Sequence, residues 1–129
     1  MRLYLAVPFL LLAGAAHGQQ VDCANAIAQV ELTLCAEQDW LAADAALNAA
    51  YKLARQAMRD IDAALPEHER GAEAHLRDAQ RAWVTFRDAA CAAEGYQMHG
   101  GSAEPMVIYG CRARLTQQRA TDLQQLTGG

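Results

Sequence analysis

Apolar residues return at intervals of three and four over much of the chain: Val30, Leu34, Leu41, Leu47, Tyr51, Ala54, Met58, Ile61 and Leu65. This spacing matches the period of an α-helix and predicts one long amphipathic helix over about residues 27–63. Alanine is abundant, β-branched residues are few, and no stretch alternates as a half-buried strand would. Leu65-Pro66 and Gly71 break the pattern, since proline lacks a backbone donor and turns the preceding residue away from helix. A second helix is predicted over about residues 70–95, its buried stripe being Leu76, Ala79, Trp83, Phe86, Ala90 and Cys91, with Glu67 and Glu69 complementing its N-terminal dipole. Gly95, Gly100 and Gly101 then mark a loop and Ser102 is the expected N-cap. Met106, Ile108, Tyr109, Leu115, Leu123 and Leu126 trace a third helix. Gly110 within it costs about 1 kcal/mol against alanine, which predicts a close approach of two backbones there.

The first residues read differently. Arg2 supplies a positive start, Leu3 to Leu12 form a short apolar core, and Ala16-His17-Gly18 offers small residues for cleavage, the layout of an export signal over residues 1–18. Residues 19–129 then form a single small domain. No later segment reaches the roughly 20 apolar residues of a membrane span. The residues before Cys23 are Gln20, Val21 and Asp22, not the small-residue run of a lipoprotein signal, so no lipid anchor is expected. Without Arg2, ten Lys and Arg face fifteen Asp and Glu. The acidic balance argues against nucleic acid and favours a basic partner.

An exported chain puts its cysteines in an oxidising compartment, so Cys23, Cys35, Cys91 and Cys111 are expected to form two disulfides out of three possible pairings. Helices joined by short turns are antiparallel neighbours, and positions equidistant from a turn lie side by side. Cys91 and Cys111 are equidistant from Gly101, which favours their pairing and leaves Cys23 with Cys35. Twelve positions on an unbroken helix would hold the latter two roughly 18 Å apart, so the chain must turn between them. The fold class is therefore all-α: an antiparallel three-helix hairpin or bundle with a short N-terminal segment, stapled by two disulfides. The same mirror argument about Pro66 brings Asp44 opposite Arg87 or Asp88 and predicts an Asp44–Arg87 ion pair, costly to break if buried.

Taken in order, Cys23, Glu31 and Cys35, then Asp44-x-x-Leu47-Asn48-x-x-Tyr51, then Gln80-x-x-Trp83-x-x-x-Arg87-Asp88-x-x-Cys91-x-x-Glu94, then Gly100-Gly101-Ser102, Cys111, Thr116 and Arg119 form a set that resembles the lysozyme inhibitor LprI-like family, long catalogued as a domain of unknown function (DUF1311). The resemblance spans nearly all of the chain after the export signal. It implies a periplasmic or secreted all-helical domain and, through the family's name, inhibition of lysozyme-type muramidases.

Little in the residues themselves points to catalysis. After cleavage the histidines are His68, His75 and His99, and no serine or free thiol is placed for activation by one. His68 and His75, seven apart with Glu67 and Glu73 nearby, read as solvated residues at a charged helix start rather than as metal ligands. Glu67 and Glu69 form no cleft of the kind glycosidase carboxylates require. Tyr51, Trp83 and Phe86 have the spacing of a core cluster rather than a sugar platform. No enzyme, cofactor or metal is expected. The candidate partner-binding element is the loop carrying Tyr96, His99, Gly100, Gly101 and Ser102, where glycines let backbone approach a partner and a Cys91–Cys111 bridge would hold the stems. Two functions follow: an inhibitor that binds a basic lysozyme, or an envelope adaptor that uses an exposed alanine-rich helical face and touches no enzyme.

Overall fold

A computed structural model describes residues 20–128 as three helices, α1 (Gln29–Ala64), α2 (Ala72–Gly95) and α3 (Glu104–Gln125), joined by 3-10 turns at Glu67–Glu69 and Tyr96–Met98. There is no strand among the described residues. The expected export signal lies outside them. With 36 residues, α1 is about 54 Å long and outruns its partners of 24 and 22 residues. Consecutive helices are antiparallel, so α3 runs parallel to α1, and these two share the broadest interface. Along it Gln29 meets Met106, Trp40 stacks on Tyr109 at 5.7 Å, and Ala50 and Ala54 meet Ala120 and Leu123.

The apolar core lies toward the α1–α2 turn. Leu47, Ala50, Ala54, Leu76, Ala120 and Leu123 are buried together, with Tyr51, Met58 and Trp83 packed against them. The α1 residues of this core, with Ala43, follow a 4-3-4 spacing that makes one narrow stripe. The sequence pattern was expected to bury a wider set, and here the structure differs. Val30, Leu34, Leu41 and Ile61 on α1, Ala79 and Phe86 on α2, and Leu126 after α3 are exposed. At 100° per residue, the Val30–Leu34–Leu41 face lies roughly 150° around α1 from the buried stripe. What reads in the sequence as one apolar face is two. A three-helix assembly gives each helix only two neighbours, so α1 can bury one of them.

Both expected bridges are present: Cys23–Cys35 with 5.6 Å between Cα atoms, and Cys91–Cys111 with 5.4 Å. The turn required before Cys35 is made by Asp22, whose carboxylate accepts from the Ala24 N–H at 3.1 Å and from the Asn25 amide at 2.7 Å. Glu31 then reaches back to accept from the Ile27 and Ala28 N–H groups at 3.3 and 3.2 Å, satisfying donors at the start of α1.

The start of α2 is capped by neither Glu67 nor Glu69, which lie in the 3-10 turn. Asp62, from the last turn of α1, accepts from the backbone N–H groups of Gly71 (2.9 Å), Ala72 (2.8 Å) and Glu73 (3.1 Å). These donors hold its carboxyl below the usual range. Glu73 is likewise held low, first by its hydrogen bond from Arg55, with Arg59 adding a contact at 3.3 Å. The expected backbone approach at Gly110 is absent, since a Cβ there would meet nothing within 4 Å. Gly95 is the tight position: a Cβ would fall 2.5 Å from Ile108 Cγ1, so only glycine lets α2 and α3 close beside the second bridge.

Candidate partner-binding surface

The α2–α3 loop is an ordered clasp. Gly100 adopts φ +77°, a left-handed conformation that favours glycine, and its N–H donates to Glu104 Oε2 at 2.9 Å. His99 Nδ1 lies 3.2 Å from the other oxygen of the same carboxylate. The Gly100 N–H, and after it His99, hold the Glu104 carboxyl below its ordinary range. Tyr96 and His99 stack with rings 4.4 Å apart and nearly parallel, and both are exposed. Gly101 donates to the Met98 carbonyl at 2.9 Å. Ser102 is exposed but does not cap α3: the N-cap is Ala103, and Pro105 occupies the first turn. Glu104 instead bonds back into the loop, and the start of α3 has no side-chain cap.

Gly100, Gly101 and Ser102 of this loop belong to the set that carries the family resemblance, and other members of that set lie between the helices. Arg87 is buried, with its guanidinium 5.6 Å from the Trp40 ring and 5.2 Å from the Trp83 ring. Its close carboxylate is Asp88, 3.0 Å from Nε and 2.9 Å from Nη2, while Asp44 is 3.9 Å from Nη1. The two residues of the expected pair thus face each other at the outer limit of an ion pair, with the neighbouring Asp88 holding the charge more tightly. Arg112 covers Trp40 from α3, 5.0 Å from the ring. Arg119 donates to Gln80 at 3.1 Å and Arg114 to Glu94 at 2.8 Å, tying α2 to α3. Thr116 is fully buried. These interhelical residues build a scaffold. Trp40, which periodicity did not single out, is the centre of this layer. Tyr51 and Trp83 do pack on the core as the spacing suggested, but Phe86 points to solvent.

A second feature was missed because it looked like core. Val30 (67% exposed) and Leu41 (56%), with Leu34, project from the N-terminal half of α1, and Ile27 (87%) lies just before it. Gln29, Val30, Thr33 and Leu34 form, with Ser102 and Pro105, an almost wholly apolar groove of about 470 Å³. Ser102 therefore joins the predicted loop to an unpredicted apolar face. Charge is segregated in the same region. Residues 20–51 hold Asp22, Glu31, Glu37, Asp39 and Asp44 and no Lys, Arg or His, whereas residues 52–128 hold ten acidic and ten Lys or Arg residues. The signal for both was present in the sequence as an apolar repeat and a base-free run. Among the described residues no group of three His, Cys, Asp or Glu side chains could hold a metal ion, and no helix is long and apolar enough to cross a membrane.

Comparison with known proteins agrees with this architecture. An uncharacterized protein of Rhizobium meliloti (strain 1021) is 44% identical over 118 residues, covering 86% of this chain and 82% of its own. A crystal structure of a DUF1311 family protein from Pseudomonas putida KT2440 superposes with a TM-score of 0.64 at 26% identity, over 75% of this chain and 91% of that one. The family described as lysozyme inhibitor LprI matches residues 22–123, from the Asp22 turn to the last buried residue of α3. Named for inhibition rather than for a reaction, this is the family to which the chain belongs.

Proposed function

We propose that the protein is exported to the periplasm or beyond through residues 1–18 and that residues 19–129 act there as a binding protein that inhibits a muramidase of the lysozyme type. The observation that carries this reading beyond the family's name is the segregation of charge: the whole acidic excess of the described residues lies in residues 20–51. A basic enzyme would be drawn to that end of the molecule, at a rate that falls as salt screens the attraction. The loop bearing Tyr96, His99, Gly100, Gly101 and Ser102 is proposed as part of the contact, held ready by the Cys91–Cys111 bridge and the Glu104 clasp. The test is lysis of a peptidoglycan suspension by an animal-type lysozyme, with and without the oxidised protein, at low and physiological salt. Inhibition near stoichiometry, weaker at the higher salt, is expected. Full lysis in the presence of protein shown to be folded with both bridges would reject the reading.

A second reading rests on a different face. Ala79, Ala82, Phe86, Ala89 and Ala93 recur at 3-4-3-4 spacing along α2 and all are exposed, the pattern of a helix seam without its partner. An envelope adaptor would use this seam, and its apolar contact would persist at salt concentrations that weaken binding to a basic enzyme.

A further inference from the structure

We infer that the outward face of α1, formed by Val30, Leu34 and Leu41 with Ile27 just before the helix and the groove closed by Ser102 and Pro105, is the surface on which a cationic protein docks. The inference rests on the binding-protein reading and adds an apolar surface to the loop proposed there. Single exposed apolar residues are ordinary, but here Val30, Leu34 and Leu41 share one helix flank, with Ile27 just ahead of the N-cap, beside a groove with hardly any polar lining. The segment that presents them is tied down: Cys23–Cys35 closes it covalently, and Glu31 satisfies the backbone donors of Ile27 and Ala28. A rigid apolar surface loses little conformational entropy when a partner covers it. Among the described residues nothing covers these side chains. Toward its N-terminus α1 is paired with Met106, Tyr109 and Arg112 of α3 on a different side.

Charge selects the occupant. Of the five acidic residues in this segment, Asp44 has Arg87 at 3.9 Å and Asp39 shares a groove with Arg114, which leaves Asp22, Glu31 and Glu37, in the same segment as the apolar face, without a cationic partner among the described residues. Arg87 and Arg112 are turned inward onto Trp40. A second copy docking face to face would bring two acidic rims together, and an anionic lipid surface or nucleic acid would be repelled in the same way. A protein carrying basic groups around an apolar contact meets both features: the apolar centre supplies affinity, and the rim supplies encounter rate and salt dependence.

The test uses the protein produced through its own leader, with both bridges formed, and an animal-type lysozyme as the cationic probe, with binding measured by calorimetry and lysis followed in parallel. The double variant Val30→Ser with Leu34→Ser is expected to bind at least about tenfold more weakly, with helicity and Tm close to the parent because both side chains are already exposed. Glu37→Lys should weaken binding and flatten its salt dependence. Leu53→Ser, as exposed on the same helix but outside the acidic segment, should bind like the parent. Undiminished binding by the double variant overturns this surface and leaves the inhibitor reading standing. Binding that depends on Val30 and Leu34 without inhibition of lysis keeps the surface and rejects inhibition. A parent that does not bind, or whose residues 27–41 show amide shifts on dilution because a second copy occupies the face, overturns the inference.

Discussion

Where α1 turns into α2, Leu47, Ala50, Ala54, Leu76, Ala120 and Leu123 close over one another, and the turn is sealed by Asp62 and the Arg55–Glu73 contact. At the opposite end, where α2 turns into α3 beside the start of α1, both disulfides are found, while Ile27, Val30, Leu34, Tyr96 and Met98 face outward. The first end is held by the hydrophobic effect and hydrogen bonds. The second is held by covalent staples, which allow it to keep shape without burying its apolar side chains. In a domain of this size core-forming residues are scarce, and placing several outward has a stability cost that crosslinks offset. The contrast separates a stabilising end from a presenting end.

That contrast can be broken most severely at the core. Leu123 is fully buried, so Leu123→Ala is expected to lower stability by about 4 kcal/mol, whereas the exposed Leu34→Ala should change it by less than about 1 kcal/mol. Urea unfolding measures both, and equal losses would abolish the distinction between the ends. Arg87→Ala comes next, at about 2 kcal/mol, because the buried side chain loses its packing on two tryptophan faces and leaves a void, while the half-exposed Asp88 keeps Arg112 at 3.6 Å.

Replacing Cys23 and Cys35 by serine removes a staple worth up to about 3 kcal/mol on the chain-entropy view. Hydrogen exchange should locate the loss: amides of the first turns of α1 become unprotected, while those near Leu47 to Ala54 keep their protection. Loss of protection through the core would mean that the two ends unfold as one unit.

The turn end should also respond to acid. A carboxyl whose folded pKa is depressed contributes stability that is present above its unfolded pKa and is lost as pH falls through the folded one. Asp62 and Glu73 are both depressed, so this contribution should fade below about pH 4. Asp62→Ala is expected to lower Tm at neutral pH by about 5 °C and to shrink the loss between neutral and acidic pH. An unchanged acid profile would assign the α2 cap to another group. The smallest effect is predicted for Asp44→Ala, less than about 1 kcal/mol, because Asp44 is partly solvated and Asp88 remains beside Arg87.

The number of helices, their order and their turns were set by local rules: apolar period, the Leu65-Pro66 break and the glycines of the second loop act within a few residues. Both disulfides were also legible, because antiparallel neighbours and the reach of an S–S bond are simple geometry, and the mirror that aligned Cys91 with Cys111 also brought Asp44 opposite Arg87. Periodicity, however, finds apolar faces without saying what covers them. Val30, Leu34 and Leu41 have the same spacing as Leu47 and Ala54, and only the tertiary arrangement decides that α3 and α2 cover the second set and leave the first to solvent. Capping failed for a related reason. Ser102, Glu67 and Glu69 stand at the right places in the sequence, but the donors at the helix starts and loop are reached by Asp62 and Glu104, whose side chains fold back across a turn. The glycine that needs to be small is likewise set by a neighbour distant in sequence, Ile108 against Gly95, and not by its own helix. The sequence by itself determined the helices, the staples and the acidic character of the first third. Only the tertiary structure decided which apolar face is core and which is left to solvent, because burial belongs to the distances between helices and not to the order of residues within one.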